Sequence, residues 1–246
     1  MKSIFTFSII LFLQTLVSGS PRIPPVHFQD SMVSPQFNPD RADWIASDVE
    51  TIDDYLNQYV MYPDAARRNN QAGTSIIEFV VTEDGELQDF RVINSISEEI
   101  DREMIRAVSQ TNGLWEPGRL NGMKVPMKKE VSLVFVPYEQ YDLAAEASKH
   151  LTEGSEALFT EENPRKALPH LDQAVKLFPY NKDILSVRSL CRHQLGDLEG
   201  ARQDWERVIN MNIGQATQLE TGYLIIRMRD LDGYEEFDRA VRQAEQ

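Results

Sequence analysis

Residues 74–92 read TSIIEFVVTEDGELQDFRV, and this stretch decides the fold of the first half of the chain. Ile77, Phe79 and Val81 alternate with Ile76, Glu78 and Val80, the period of two that marks a strand from Thr74 to Thr82. Glu83-Asp84-Gly85 is a tight-turn signal, and a second strand follows through Val92, so the pair is a hairpin. A hairpin alone is marginal in water and needs a cover. Downstream, Ser95 to Gln110 places Ile100, Met104 and Val108 on one helical face, with Ser95 and Glu98 as a capping box. Upstream, Ser47 and Glu50 form a similar box ahead of Ile52, Leu56 and Tyr59, and Pro63 opens a second short helix through Asn69. After turn signals at Trp115-Glu116-Pro117-Gly118 and Asn121-Gly122, Val131, Leu133 and Phe135 alternate in a last strand. The order helix, strand, strand, helix, strand predicts an α+β domain: a small three-stranded antiparallel sheet packed on a helix, with at least one open edge.

From Glu139 onward the strand signals vanish and a period of 34 residues appears. Leu151 and Leu185, Ser155 and Ser189, Ala167 and Ala201, Leu171 and Trp205, and Ala174 and Val208 are the matched pairs. Small residues at these positions let paired helices approach closely, and the bulky ones fill the space between. The units have tetratricopeptide character, with repeats at about 148–181 and 182–215 and a capping pair over 216–246. The expected organisation is therefore a leader at 1–19, a Pro-containing linker at 20–46, the sheet domain at 47–137 and an all-α helical array at 138–246.

The leader reading rests on Lys2, the mostly apolar run Ile4 to Val17, and the small residues Ser18 and Gly19 at the cut. It implies a periplasmic or secreted protein. Left uncut, the same run would place the chain in the inner membrane facing the periplasm, although Gln14 interrupts it and a spanning helix needs roughly 20 apolar residues. The linker reading rests on Pro21, Pro24, Pro25, Pro35 and Pro39.

A net charge of −14 excludes nucleic acid as a partner, because phosphate binding needs clustered Lys and Arg. Cys191 is the only cysteine, so no intramolecular disulfide forms, and its helical context predicts a buried packing role. His27, His150, His170 and His193 lack zinc-site spacing, so no metal and no cofactor are expected. Gly113 to Gly118 lacks the Lys and Ser or Thr of a phosphate loop, and Asp230 to Glu236 does not close a calcium loop. Trp115 and Trp205 read as core residues. No catalytic constellation emerges, and the chain is expected not to be an enzyme.

Tyr62-Pro63, Ala66, Gly73, Phe79, Val81, Asp84-Gly85, Val92, Asp101, Trp115, Pro117-Gly118, Asn121-Gly122, Val125 and Phe135 give Glu50 to Pro137 a family pattern. The stretch resembles the C-terminal domain of TonB-family energy transducers. The resemblance implies a periplasmic module that grips outer-membrane receptors by adding an extended receptor segment to its last strand. Here that edge is Val131, Ser132, Leu133, Val134 and Phe135. The leading expectation is an envelope interaction protein, associated with TonB-dependent transport, whose helical array recruits a second partner. The alternatives are a membrane-anchored transducer, disfavoured by a cleavable leader and a short linker, and an envelope-assembly module unrelated to transport. The same edge also offers a route to a homodimer.

Overall fold

The computed structural model describes residues 32–214. In chain order these form β1 (Met32–Val33), β2 (Gln36–Phe37), a 3-10 turn (Pro39–Arg41), α1 (Ile52–Tyr59), α2 (Asp64–Arg68), β3 (Gly73–Val81), β4 (Leu87–Asn94) and α3 (Glu98–Ser109). They continue as β5 (Trp115–Glu116), β6 (Arg119–Leu120), β7 (Met123–Lys124), β8 (Met127–Phe135), α4 (Leu143–Phe159), α5 (Pro164–Leu177), α6 (Lys182–Gln194) and α7 (Leu198–Gly214). The expected leader, the first part of the linker and the capping pair at 216–246 lie outside the described residues.

The main sheet runs β4-β3-β8, antiparallel throughout, with Gly73 opposite Phe135 and Val81 opposite Met127. Ile77, Phe79 and Val81 of β3 point into a core shared with Val131 and Phe135 of β8 and with Ile100, Met104, Ala107 and Val108 of α3. These are the alternating strand residues and the helical stripe of the sequence, so pattern became packing directly. Trp115 closes the core. Its ring meets Phe79 edge-on at 5.3 Å, and its indole N–H donates to Thr111 Oγ1 at 2.9 Å. Gly85, at φ +84°, turns the hairpin with its α-carbon against the Trp115 carbonyl, where a Cβ would lie only 2.3 Å away.

Three local expectations are corrected. The capping box of α1 belongs to Thr51 and Asp54, not to Ser47 and Glu50: Thr51 Oγ1 accepts from Asp54 N at 3.1 Å, and Asp54 Oδ2 accepts from Thr51 N at 2.9 Å. Residues 46–49 are instead drawn into a turn that buries Val49 in the core. Ser97, not Ser95, caps α3, while the Ser95 hydroxyl donates to the Asp101 carboxylate. Pro63 is the residue before α2 and not its first member.

The largest correction concerns residues 32–46, expected as extended linker. They form a strap bound to the sheet domain. Met32 and Val33 pair with Leu120 and Arg119, and Gln36 and Phe37 pair with Glu116 and Trp115. Phe37 packs 5.6 Å from the Trp115 ring, and the Arg41 guanidinium donates to the Trp115 carbonyl at 3.2 Å and pairs with Glu116. Strands of two residues are too short to show a period, and their partners lie some 80 positions away in sequence.

Residues 143–214 form two helical hairpins, α4 with α5 and α6 with α7, in contact through α5 and α6. Two further cores hold them together, one around Leu158, Leu171, Leu190 and Cys191 and the other around Ala174, Val175, Leu185 and Val208. The end of α5 rests on the main sheet. Thr74 Oγ1 donates to the Leu177 carbonyl at 3.1 Å, and the Asn94 amide donates to the carbonyls of Thr74 and Lys176 at 2.6 and 3.1 Å. Gly73, at φ +148°, makes this approach possible, since a Cβ there would sit 2.6 Å from the Lys176 carbonyl oxygen. Gly73→Ala should therefore cost about 2 kcal/mol, and calorimetry should show one cooperative transition in the parent chain resolving into two as the helices detach from the sheet.

Candidate functional site

The outer strands of the main sheet are β4 and β8, and β8 carries the edge residues singled out in the sequence. It spans Met127–Phe135, and among the described residues its only ladder partner is β3, so it is an edge of the main sheet. An edge presents unpaired backbone amides and carbonyls to whatever strand can reach them. Its five candidate residues divide by face. Val131 and Phe135 are buried in the core, Leu133 is partly buried against it, and Ser132 and Val134 lie on the opposite face, with Val134 53% exposed.

The opposite face of β8 is not left to solvent along its whole length. Tyr180, in the turn between α5 and α6, donates its hydroxyl to Glu130 Oε1 at 2.6 Å. Partial burial and this hydrogen bond push the phenol upward from its usual value. Glu78 of β3, on the same face, pairs with Lys128 at 3.1 Å and Arg91 at 3.6 Å. Between this face and the helical hairpins lies a cleft of about 650 Å³, lined with charges of both signs, Lys176, Arg202 and Glu206 among them.

One wall of the cleft is an ion network that ties three helices together. Arg188 of α6 donates to Asp204 of α7 through Nε at 2.8 Å and Nη2 at 2.5 Å, and to Asp172 of α5 through Nη1 at 3.1 Å. Arg192 adds a contact to Asp204 at 3.2 Å. The Asp204 side chain is 3% exposed and that of Arg188 12%, so neither charge can be abandoned by its partner without a desolvation cost.

Most of the remaining residues singled out in the sequence lie at the two ends of the sheet. At one end the Tyr62 ring meets Phe135 edge-on at 5.4 Å, its hydroxyl donates to the Gln71 carbonyl, Pro63 leads into α2, and Gly73 touches α5. At the other, Asp84 and Gly85 make the hairpin turn, while Pro117 and Gly118 are buried, Gly118 against Met127. Asn121 and Gly122, at φ +52° and +83°, form the two-residue turn of the β6-β7 hairpin, away from both ends. Cys191 is buried, and burial pushes its thiol up to about 11, which removes it from thiolate chemistry. The four histidines lack zinc-site spacing along the sequence, and the tertiary structure brings His150, Glu153 and His170 together across two helices. Spacing could not disclose this group, because it joins two helices and counts a carboxylate among its donors.

Residues 58–137 match the family model described as the Gram-negative bacterial TonB protein C-terminal, which supports a TonB C-terminal domain over that third of the chain. Domains of this family are non-enzymatic protein-interaction modules of the cell envelope, and nothing among the described residues points to catalysis. Among solved structures, the solution structure of the Helicobacter pylori TonB C-terminal domain is similar at 18% identity, over 36% of this chain and 92% of that chain, with a TM-score of 0.28. That score is too low to bear on the fold. No curated protein matches the chain. No helix among the described residues is long and apolar enough to cross a membrane.

The ion network yields a stability test. Arg188→Ala removes the bidentate partner of the buried Asp204 carboxylate, leaving only Arg192 beside it, and should cost about 3 kcal/mol in urea unfolding, whereas the double change Arg188→Met with Asp204→Leu should recover most of it.

Proposed function

We propose that this chain is a periplasmic interaction protein whose β8 edge captures an extended segment of an outer-membrane receptor, in association with TonB-dependent transport. The observation that carries the reading is the nine-residue edge strand itself, long enough for a full ladder and lying inside the span that matches the TonB C-terminal family. Main-chain hydrogen bonds would supply affinity, and side chains of alternate residues would supply selectivity, with Val134 and Ser132 on the accessible face. Family motif residues such as Tyr62, Gly73, Gly85 and Trp115 then act by holding the edge in place, not by touching the partner.

Residues 1–19 act in this reading as a secretory leader, and the strap from Met32 belongs to the sheet domain. The helical hairpins are a tetratricopeptide-type array that docks a second protein partner. In support, α7 begins 34 residues after α5, at Leu198 and Pro164, the period seen in the sequence. Such arrays present a groove to partner segments. The hairpins sit against the sheet through Gly73, Asn94 and Tyr180, so a segment on β8 and a partner on the array would be neighbours.

Cysteine pairing tests the edge. Cys191 is buried with a raised thiol, so Val134→Cys adds one reactive, exposed thiol. Mixed, in a buffer of oxidised and reduced glutathione, with receptor-segment peptides carrying single cysteines at successive positions, this variant should form disulfides at every second position, the alternation of a paired strand. Uniform trapping, or none, would remove β8 as the docking edge. Leu133→Pro is a weaker probe, because Leu133 also packs on the core and the change would disturb folding.

A further inference from the structure

We propose that His150, Glu153 and His170 form a binding site for a divalent transition-metal ion that staples α4 to α5. His150 and Glu153 sit three positions apart on α4, on one face of the helix, and His170 faces them from α5. One ring nitrogen from each imidazole and one carboxylate oxygen lie within 4.8 Å of one another. Glu153 Oε2 is 3.0 Å from His170 Nδ1 and 3.7 Å from His150 Nδ1. Donors around a tetrahedral ion with bonds of about 2.0–2.1 Å stand roughly 3.3 Å apart, so the observed separations bracket what such an ion requires.

Two further observations support the site. The Nδ1 of His150 is buried and has no hydrogen-bond partner, an uncommon state for a ring nitrogen and one that a metal ion would relieve. The second concerns the approach of the helices. Gly154, next to Glu153, lies so close to α5 that a Cβ there would come within 2.7 Å of Leu171 Cδ2 and 3.4 Å of the His170 Cβ. The absent side chain brings His170 within reach of the carboxylate. The imidazole rings stand 6.1 Å apart and tilted by 40°, flanking the carboxylate without stacking.

The donor set selects the ion class. Two imidazoles and one carboxylate suit Zn²⁺, Ni²⁺ or Cu²⁺, while Ca²⁺ and Mg²⁺ prefer all-oxygen cages. Side-chain exposures of 24% for His150, 42% for Glu153 and 34% for His170 leave room for water to complete the coordination. The proposal stands apart from the receptor-binding reading, since the three residues lie on the helical hairpins and not on β8.

The test is isothermal titration of the full chain, stripped with chelator, using Zn²⁺ and, separately, Ca²⁺. One equivalent of Zn²⁺ should bind and raise the thermal unfolding midpoint, with no Ca²⁺ uptake. His150→Ala and His170→Ala should each weaken Zn²⁺ binding on the order of 100-fold, and His193→Ala on α6 should leave it unchanged. Glu153→Gln serves if a histidine variant loses its native circular dichroism, because the change keeps the side chain's shape. The proposal falls if the parent chain takes up no Zn²⁺, or if folded variants at 150, 153 and 170 bind it as the parent does.

Discussion

Everything in this protein hangs on the burial of β3. It is the central strand of β4-β3-β8, and Ser75, Ile77, Phe79 and Val81 on one face, with Ile76 on the other, are wholly buried. The first face lies under α3 and Trp115, so the hydrophobic effect fixes the register of both neighbouring strands: a slip of one residue would turn this set toward the wrong side. The second face is covered at its Gly73 end by the end of α5, whose main-chain carbonyls accept hydrogen bonds from Thr74 and Asn94. A strand buried this way must be flanked, and the flanking strand β8 thereby becomes an edge held rigidly at a known height above the core.

Rigidity at the edge and charge at the array have different physical origins. The edge is positioned by apolar packing of Val131 and Phe135 beneath it, with Tyr62 and Arg67 stacked at its end. The helical hairpins combine apolar cores with a partly buried ion network at Asp172, Arg188, Arg192 and Asp204, which specifies how three helices meet because each charge must find its partner. A bundle held only by leucines would tolerate sliding; one with a bidentate arginine at its centre does not.

Much of the fold was legible in the sequence. The alternation at Ile77, Phe79 and Val81, the stripe at Ile100, Met104 and Val108, and the turn at Asp84-Gly85 each named an element within a few residues of where it lies, because periodicity reports which side of an element is dry. Helix starts were less legible. Ser47 and Thr51, or Ser95 and Ser97, offer similar capping chemistry, and the choice between them depends on whether Val49 and Ile96 reach the core. The last strand was read four residues too short, since Met127 to Glu130 lack the alternating apolar pattern while still pairing with β3.

By itself the sequence determined the three-stranded antiparallel sheet with its covering helix and the burial of Cys191 and Trp115, all consequences of local pattern and composition. Only the tertiary structure decided the rest. It bound residues 32–46 as a strap through partners some 80 positions away, seated α5 on the sheet through the missing side chain of Gly73, and gathered His150, Glu153 and His170 through the missing side chain of Gly154. Each of these depends on the close approach of segments distant in sequence, and distance along a chain carries no periodicity to read.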